Sequence, residues 1–426
     1  MKLELAYAKE SVVVDIPDRN LGSIIGGEKA SGTGPIDDPT AKMSETERVE
    51  YALDNPIGSP RLEEIVQPGE RTVIITSDIT RPMPSAKVLP GVLERLAGAG
   101  VSGGDITVVF ALGNHRKHTE EEKKRLVGTE VYQRIACVDS DQKDLVRVGT
   151  TSGGTHVDLF RPVAEADKLI CLGNIEFHYF AGYSGGMKAV MPGVSTMEAI
   201  QSNHSKMVRP EAKAGKIEGN PVREEIDEVF TFLPVHFIVN PVLDEKKKIR
   251  KVFAGDAFKA HREGCRFLDS MYICPVKEEA DIVIVSPGGY PKDLNLYQAQ
   301  KALDNSKYAV KEGGAVILLA ACTEGFGEKT FQRWITSAES PHAMVEEIQR
   351  NFELGGHKAA AIGMVQDRAD ILLVSEFDDE TVRKIFMTPF GSLQAALEAA
   401  LERAGKDAVV HVMPNGGATL PVVENR

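Results

Sequence analysis

A histidine and a lysine flank a glycine-rich turn in Phe177-His178-Tyr179-Phe180-Ala181-Gly182-Tyr183-Ser184-Gly185-Gly186-Met187-Lys188. Such a segment is costly as pure structure, since each glycine has extra chain entropy to lose and each polar group needs a partner. Desolvation by Phe177, Tyr179 and Phe180 is expected to lower the proton affinity of His178 unless a carboxylate stands near. Taken alone, a histidine in an aromatic run is more often a satisfied core residue; the glycines that follow tip the reading towards function. Lys188 invites comparison with a phosphate loop, and the match fails, because Met187 intervenes before the lysine and Ala189 replaces the magnesium-binding hydroxyl. What remains is a glycine-rich approach to a helix start that can bring backbone N–H groups to an anion, with an amine able to act as a charge or as a nucleophile.

Other polar residues stand where apolar runs end. Asp78 and Arg81 follow one run, and Pro82 keeps Arg81 out of helical geometry, so its guanidinium can project as a fixed fork for a carboxylate or phosphate. An Asp capping the next helix with the Arg paired to it is the plainer alternative. His115 follows Gly113-Asn114, where an imidazole that changes charge near neutral pH can serve as a base. His118 is the weaker candidate, because Thr119-Glu120-Glu121-Glu122 reads as a capped helix start just beyond it; a surface histidine is the plain reading of either. His204 has no His, Cys or carboxylate three or four residues away to complete a helical metal motif, which makes it a poor zinc site. Tyr297, Gln298 and Lys301 occupy adjacent turns of one helix, with Gln298 and Lys301 on one face, either as donors in a cleft or as a solvated surface.

Positioning these groups requires strand–loop–helix units, and short apolar runs ending in Gly, Asp, Ser or Asn recur throughout. Thr72 to Thr76 leads into a helix from about Ser85 to Ala97, Ile106 to Ala111 closes on Gly113-Asn114-His115, and Leu169 to Leu172 closes on Gly173-Asn174. A second series comprises Ile282 to Val285, Ala315 to Ala321, Ile371 to Val374 and Ala408 to Met413. The candidate groups stand at the carboxyl ends of strands, where open α/β sheets place ligands. Val235 to Phe253 reads as a hairpin around a charged turn. The expected fold is α/β, with two domains of mostly parallel sheets flanked by helices and an active site in the interdomain cleft. The expected boundaries are 1–274, joined by 405–426, for the N-terminal domain and 275–404 for the C-terminal α/β domain.

The length of 426 residues exceeds one ordinary core, and 42% hydrophobic with 26% charged residues is a globular composition. A net charge of -12 argues against nucleic acid as a partner, and the Lys246-Lys247-Lys248 run reads as a solvated turn. The 5 cysteines have no Cys-x-x-Cys spacing and imply neither a disulfide framework nor a zinc cluster. No apolar run suits export or a bilayer. A cytoplasmic enzyme without membrane contact is expected.

In chain order, Asp-Ile-Thr-Arg-Pro from Asp78, Gly-Asn-His-Arg from Gly113, the His178 to Lys188 element, Asn203-His204 and Leu-Tyr-Gln-Ala-Gln-Lys-Ala-Leu from Leu296 resemble the motifs of the lactate racemase family, which uses a nickel-pincer nucleotide. The resemblance runs from about Thr72 to Lys301 and weakly to Pro421. It implies a 2-hydroxyacid racemase or epimerase whose N-terminal domain binds the cofactor covalently at Lys188 through a thioamide. Nickel is then held by two sulfurs and a ring carbon of that cofactor, with His204 as the protein ligand, so that one imidazole suffices for a square-planar site. His115 and His178 are implied as acid and base on opposite sides of the substrate carbon, while hydride passes to the cofactor and back. Arg81 and Lys301 would hold the substrate carboxylate or the cofactor phosphate, with Gln298 as a hydrogen-bonding partner. Asp78 would orient Arg81 or touch the cofactor, backbone amides near Ser184, Gly185 and Gly186 would approach the phosphate, and Tyr297 would line the pocket. The implied partners are a small 2-hydroxy acid and proteins that synthesise and insert the cofactor.

One departure bears on the substrate. Lactate-specific members place a tryptophan on the second-domain wall, whereas Trp334 stands at another distance from Lys301 and the corresponding region holds Gly356-His357-Lys358-Ala359. Malate, an aromatic hydroxy acid or a sugar acid is therefore as open as lactate. Two other readings compete: a cofactor-binding or storage member without turnover, and a phosphate-binding transferase that uses Lys188 only as a charge.

Overall fold

Thr72–Ser77 is a short apolar strand buried along almost its whole length, as a central strand of a parallel sheet must be. It pairs in parallel with Ile106–Ala111 on one side and Lys168–Leu172 on the other. The sheet has 6 strands, in the order Ile249–Gly255, Phe237–Leu243, Lys168–Leu172, Thr72–Ser77, Ile106–Ala111, Ala136–Asp139. Ile249–Gly255 alone runs antiparallel, returning from Phe237–Leu243 through the exposed turn that carries Lys246 and Lys247. This is the expected hairpin. Chain order reverses beside the Thr72 strand, so the loops after it and after the Lys168 strand part at their carboxyl ends, where a doubly wound sheet opens a crevice. The helix Ser85–Gly98 turns Val88, Leu89, Val92 and Leu96 inward against Ile74, Val108 and Ile170. Burying each such side chain is worth about 1.5–3 kcal/mol.

This computed structural model describes residues 1–26 and 38–424. It separates into one unit spanning Pro35–Asp269 and a second formed by Met1–Gly34 with Ser270–Arg426. The second unit has its own 6-stranded sheet, ordered Thr388–Phe390, Asp370–Val374, Val310–Leu319, Ala280–Val285, Val410–Met413, Leu21–Ile24, with every neighbouring pair parallel. Two parallel-sheet α/β units match the expected fold class.

The expected domain boundaries need correction at both ends. The tail does not return to the first sheet: Val410–Met413 pairs with Ala280–Val285, and Leu420–Val423 pairs with Ile273–Val276. The N-terminal residues also join the second unit, because Leu21–Ile24 lies beside Val410–Met413 and Leu5, Val14 and Ile16 complete its core.

Candidate active site

Asp78 follows the last residue of the Thr72 strand and is buried. Its Oδ2 lies 2.8 Å from Nδ1 of His115, and its Oδ1 accepts from the Thr80 hydroxyl at 2.9 Å. Burial pushes the carboxyl up, but hydrogen bonds from His115 and Thr80 and the charges of His115 and Arg81 outweigh it and hold Asp78 below the usual carboxylate range. An ionised carboxylate only accepts, which assigns the proton between them to Nδ1 of His115, so that in the neutral ring Nε2 keeps its lone pair. Asp78 therefore seats His115, a role the sequence reading did not give it. Nor does it cap the next helix, which begins after Pro84 without a side-chain cap. Arg81 is exposed, while the neighbouring Arg116 and Lys117 are drawn off by Glu122 and Asp141 at 2.6 and 2.9 Å.

On the other side of the reversal, the Lys168 strand hands over to Gly173-Asn174 and then to a two-residue-per-arm hairpin, with His178 opposite Gly182. The Ala181 N–H points at Nδ1 of His178 over 3.3 Å, so a neutral His178 carries its proton on Nε2. Desolvation lowers the proton affinity of His178 well below the ordinary histidine value, and the charges of Lys188, Arg81, His204 and Arg223 add to the effect. The expected desolvation is present, and no carboxylate opposes it among these causes.

The Phe180 ring joins the site together. Its centroid is 4.5 Å from that of His178, 4.7 Å from that of Tyr179 and 4.9 Å from that of His204, and the Lys188 amine stands 5.9 Å from it. Desolvation drives the Lys188 amine well below its ordinary value, Arg81 and Arg223 contribute, and Glu176 opposes. A lysine in these surroundings is biased towards the uncharged amine, the form that attacks an electrophile. His204 closes the helix Met197–His204 and is buried. The preceding Asn203 is anchored on Glu225 at 2.8 Å, a carboxylate that also takes Lys206, Thr151 and Thr155.

The glycine turn is held from behind. Gly185 and Gly186 have φ of 76° and 58°, and a Cβ on Gly186 would come within 3.0 Å of the His261 ring. Arg223, fully buried, donates to the carbonyls of Ala181 and Tyr183, Asn220 donates to that of Phe180, and His261 Nε2 meets Ser184 O at 2.8 Å. The amide of Gly186 is taken by Asn240 Oδ1 at 2.9 Å and that of Ser184 by Glu176 O at 2.9 Å. Here the phosphate expectation needs revision: the Ser184 and Gly186 amides are already engaged, and Lys188 lies in a short 3₁₀ turn, Gly186–Ala189, rather than at an α-helix start. Arg223, Asn240 and His261 escaped the sequence reading because each lies far along the chain from the turn it grips. Phe180 was visible in its aromatic run, although nothing there singled it out as the shared ring.

Asp78, Arg81, His115, His178, Ser184, Gly185, Gly186, Lys188 and His204 all lie in the unit Pro35–Asp269, whereas Tyr297, Gln298 and Lys301 belong to the other. On the helix Leu296–Ser306, Gln298 and Lys301 are exposed, and Lys358 covers the Tyr297 ring at 4.0 Å while donating to its carbonyl at 2.7 Å. Trp334, set apart in sequence, packs its indole on Gly356 and donates to Glu353 at 2.6 Å. It thus reaches the segment that the resemblance had marked as the tryptophan's place.

The fold and site define a two-unit α/β protein with a carboxylate-seated imidazole, a second imidazole and a desolvated amine grouped at one end of a parallel sheet. Family models described as the lactate racemase N-terminal and C-terminal domains match residues 7–215 and 276–420. Lactate racemases of Thermoanaerobacterium thermosaccharolyticum and Lactiplantibacillus plantarum are each 33% identical over 97% of this chain, covering 97% and 98% of their own lengths. The lactate racemase apoprotein structure from T. thermosaccharolyticum superposes with a TM-score of 0.86 at 31% identity, covering 99% of this chain and 100% of that one. A Thermotoga maritima crystal structure shares the fold alone, with a TM-score of 0.61 at 16% identity over 89% and 98% of the two chains. The chain belongs to the lactate racemase family and is an isomerase of the racemase class.

Proposed function

We propose that this protein racemises or epimerises a small 2-hydroxy acid, with a nickel-pincer nucleotide attached to Lys188 and His204 as the protein's nickel ligand. The observation that carries the reading is the gathering of His178, His204 and Lys188 around one ring, Phe180. The residues fit such a group: a desolvated amine suits covalent attachment, a buried imidazole suits a single metal ligand, and the charges of Arg81 and Arg223 felt at Lys188 suit a phosphate. When bound, the cofactor supplies a place for hydride to leave the substrate carbon and return to either face.

The chain's own residues supply the proton chemistry. Asp78 holds His115 with Nε2 free, and His115 takes the substrate hydroxyl proton there. His178 holds or receives the proton for the opposite face. Arg81 offers its fork to the carboxylate; the resemblance of the helix motif around Tyr297 supports Gln298 and Lys301 as substrate-binding and Tyr297 as cofactor-binding residues. Ser184, Gly185 and Gly186 shape the turn that presents Lys188. A transferase that needs Lys188 as a fixed charge is disfavoured by surroundings that shift its amine towards the uncharged form. No helix among the described residues is long and apolar enough to cross a membrane, and we place the enzyme in the cytoplasm, served by proteins that make and insert the cofactor.

The test is co-expression with the cofactor pathway, followed by intact mass, metal analysis and a chiral screen of 2-hydroxy acids. Expected are a mass increase mapping to Lys188, about one nickel per chain and inversion of at least one acid. Loaded protein that inverts none would favour the storage reading, and an unmodified Lys188 in those cells would overturn the proposal.

A further inference from the structure

Three adjacent strands of the first sheet, Thr72–Ser77, Ile106–Ala111 and Ala136–Asp139, end in loops that a single imidazole ties together. The His118 side chain is fully enclosed. Its Nδ1 lies 2.6 Å from Asp139 Oδ1, and its backbone N–H donates to Asp139 Oδ2 at 3.1 Å. On the far side of the ring, the Ile79 amide donates to Nε2 at 3.1 Å. A main-chain N–H can only donate, so Nε2 accepts and the ring proton stands on Nδ1, facing Asp139. Phe110 packs edge-on at 5.1 Å, and Lys123 stands 3.8 Å from the other Asp139 oxygen. Both ring nitrogens are thereby committed and the orientation of the ring is fixed.

Ile79 directly follows Asp78, the carboxylate that seats His115. We propose that His118 is a positioning residue: braced on Asp139 at the end of the third strand, it holds the Ile79 amide and so fixes the Asp78 loop and with it the orientation of His115. Asp139 acts one step further back, setting the tautomer in which His118 accepts. The inference deepens the reading of His115 as a working base and rests on it. It also explains why a histidine beside a helix cap, which looks like a surface residue in sequence, is enclosed in the structure. A structural plug would need only the volume of the ring, whereas a positioning residue needs the acceptor at Nε2.

The test uses the full chain, labelled with ¹⁵N at the imidazoles of its 10 histidines, together with turnover of the cofactor-loaded protein. In wild type, the His118 resonances should show the neutral ring protonated at Nδ1. His118→Phe keeps ring volume and removes the acceptor; it should move the His115 resonances and lower kcat about tenfold or more with KM little changed. His118→Gln can still accept from Ile79 and should keep kcat within about threefold. Asp139→Asn should follow His118→Phe in direction and serves in its place if that variant does not fold. The proposal is overturned if His118→Phe, or Asp139→Asn in its stead, leaves both the His115 resonances and kcat as in wild type. If the His115 resonances move while wild type itself inverts no 2-hydroxy acid, the positioning role stands and the racemase reading falls.

Discussion

The Asp78 carboxylate and the His115 imidazole share one proton across 2.8 Å, and that bond decides which nitrogen of His115 is left to do chemistry. In Asp78→Asn, the amide N–H can face Nδ1, so the ring proton moves to Nε2 and the lone pair the reaction needs disappears. The shape of the side chain hardly changes. The expected outcome is a fall in kcat of about 10²–10⁴, the loss seen when a catalytic histidine is locked in the wrong tautomer, with little change in melting temperature. Chiral turnover assays alongside thermal melts check this. A variant that keeps normal turnover would remove His115 as a base reached through Asp78.

Phe180 should behave as part of the site although it carries no reactive group. Phe180→Ala opens a cavity at a buried position and should cost about 3–5 kcal/mol, which confuses folding with function. Phe180→Leu is the sharper variant: it keeps most of the apolar volume and should cost less than about 2 kcal/mol, yet it removes the ring against which His178 and His204 lie edge-on. The expected result is a stable protein with reduced nickel retention and reduced turnover, read by denaturation, metal analysis and chiral assay. His204→Ala should release nickel while leaving the adduct at Lys188. A His204→Ala protein with full nickel content would take His204 out of the metal site.

Burial at Lys188 has a signature in stability. Its amine loses protons more readily in the folded chain than in the unfolded one, so between that lowered value and about 10.4 the unfolded state binds more protons. Stability then rises with pH across that span. His178 and His261 are lowered in the same sense, chiefly by desolvation, and should add a rise that levels off above about 6.5. Lys188→Met should therefore be more stable than wild type at pH 7, with the gap closing as the pH approaches about 10. Urea denaturation of cofactor-free protein at several pH values measures this. A constant gap would mean that the amine is not discharged by folding.

The reading from sequence succeeded where one short stretch carries its own signal. Apolar runs such as Thr72–Ser77 and Lys168–Leu172 are bounded by Gly, Asp or Asn and buried on both faces, so strand identity and the placing of polar groups at carboxyl ends were both legible. It failed where pairing is non-local. Leu21–Ile24 is a short edge strand whose partner lies almost the whole chain away, and parallel pairing leaves no turn signal between partners. The same holds for the site. His115, His178, Lys188 and His204 stood out as residue types in unusual settings, whereas the Asp78–His115 bond, the Arg223 clamp and the enclosure of His118 are products of strands brought side by side.

The two imidazoles are held differently, and this should divide the two directions of the reaction. His115 rests on a carboxylate with Nε2 open, whereas His178 accepts the Ala181 N–H at Nδ1. To act as a base at Nε2, His178 must shift its proton to Nδ1 and give up that contact. Enantiomers have equal free energies, so kcat/KM must be the same in both directions, and any asymmetry has to appear as matched differences in kcat and KM. Because desolvation and neighbouring cations lower the proton affinity of His178, it stays unprotonated at more acidic pH. The direction in which it is the base should accordingly hold its kcat further below pH 6.5, the usual histidine midpoint. Initial rates from each enantiomer between pH 5 and 8 provide the comparison; identical kcat values and identical profiles in the two directions would show that the two histidines are equivalent when substrate is bound.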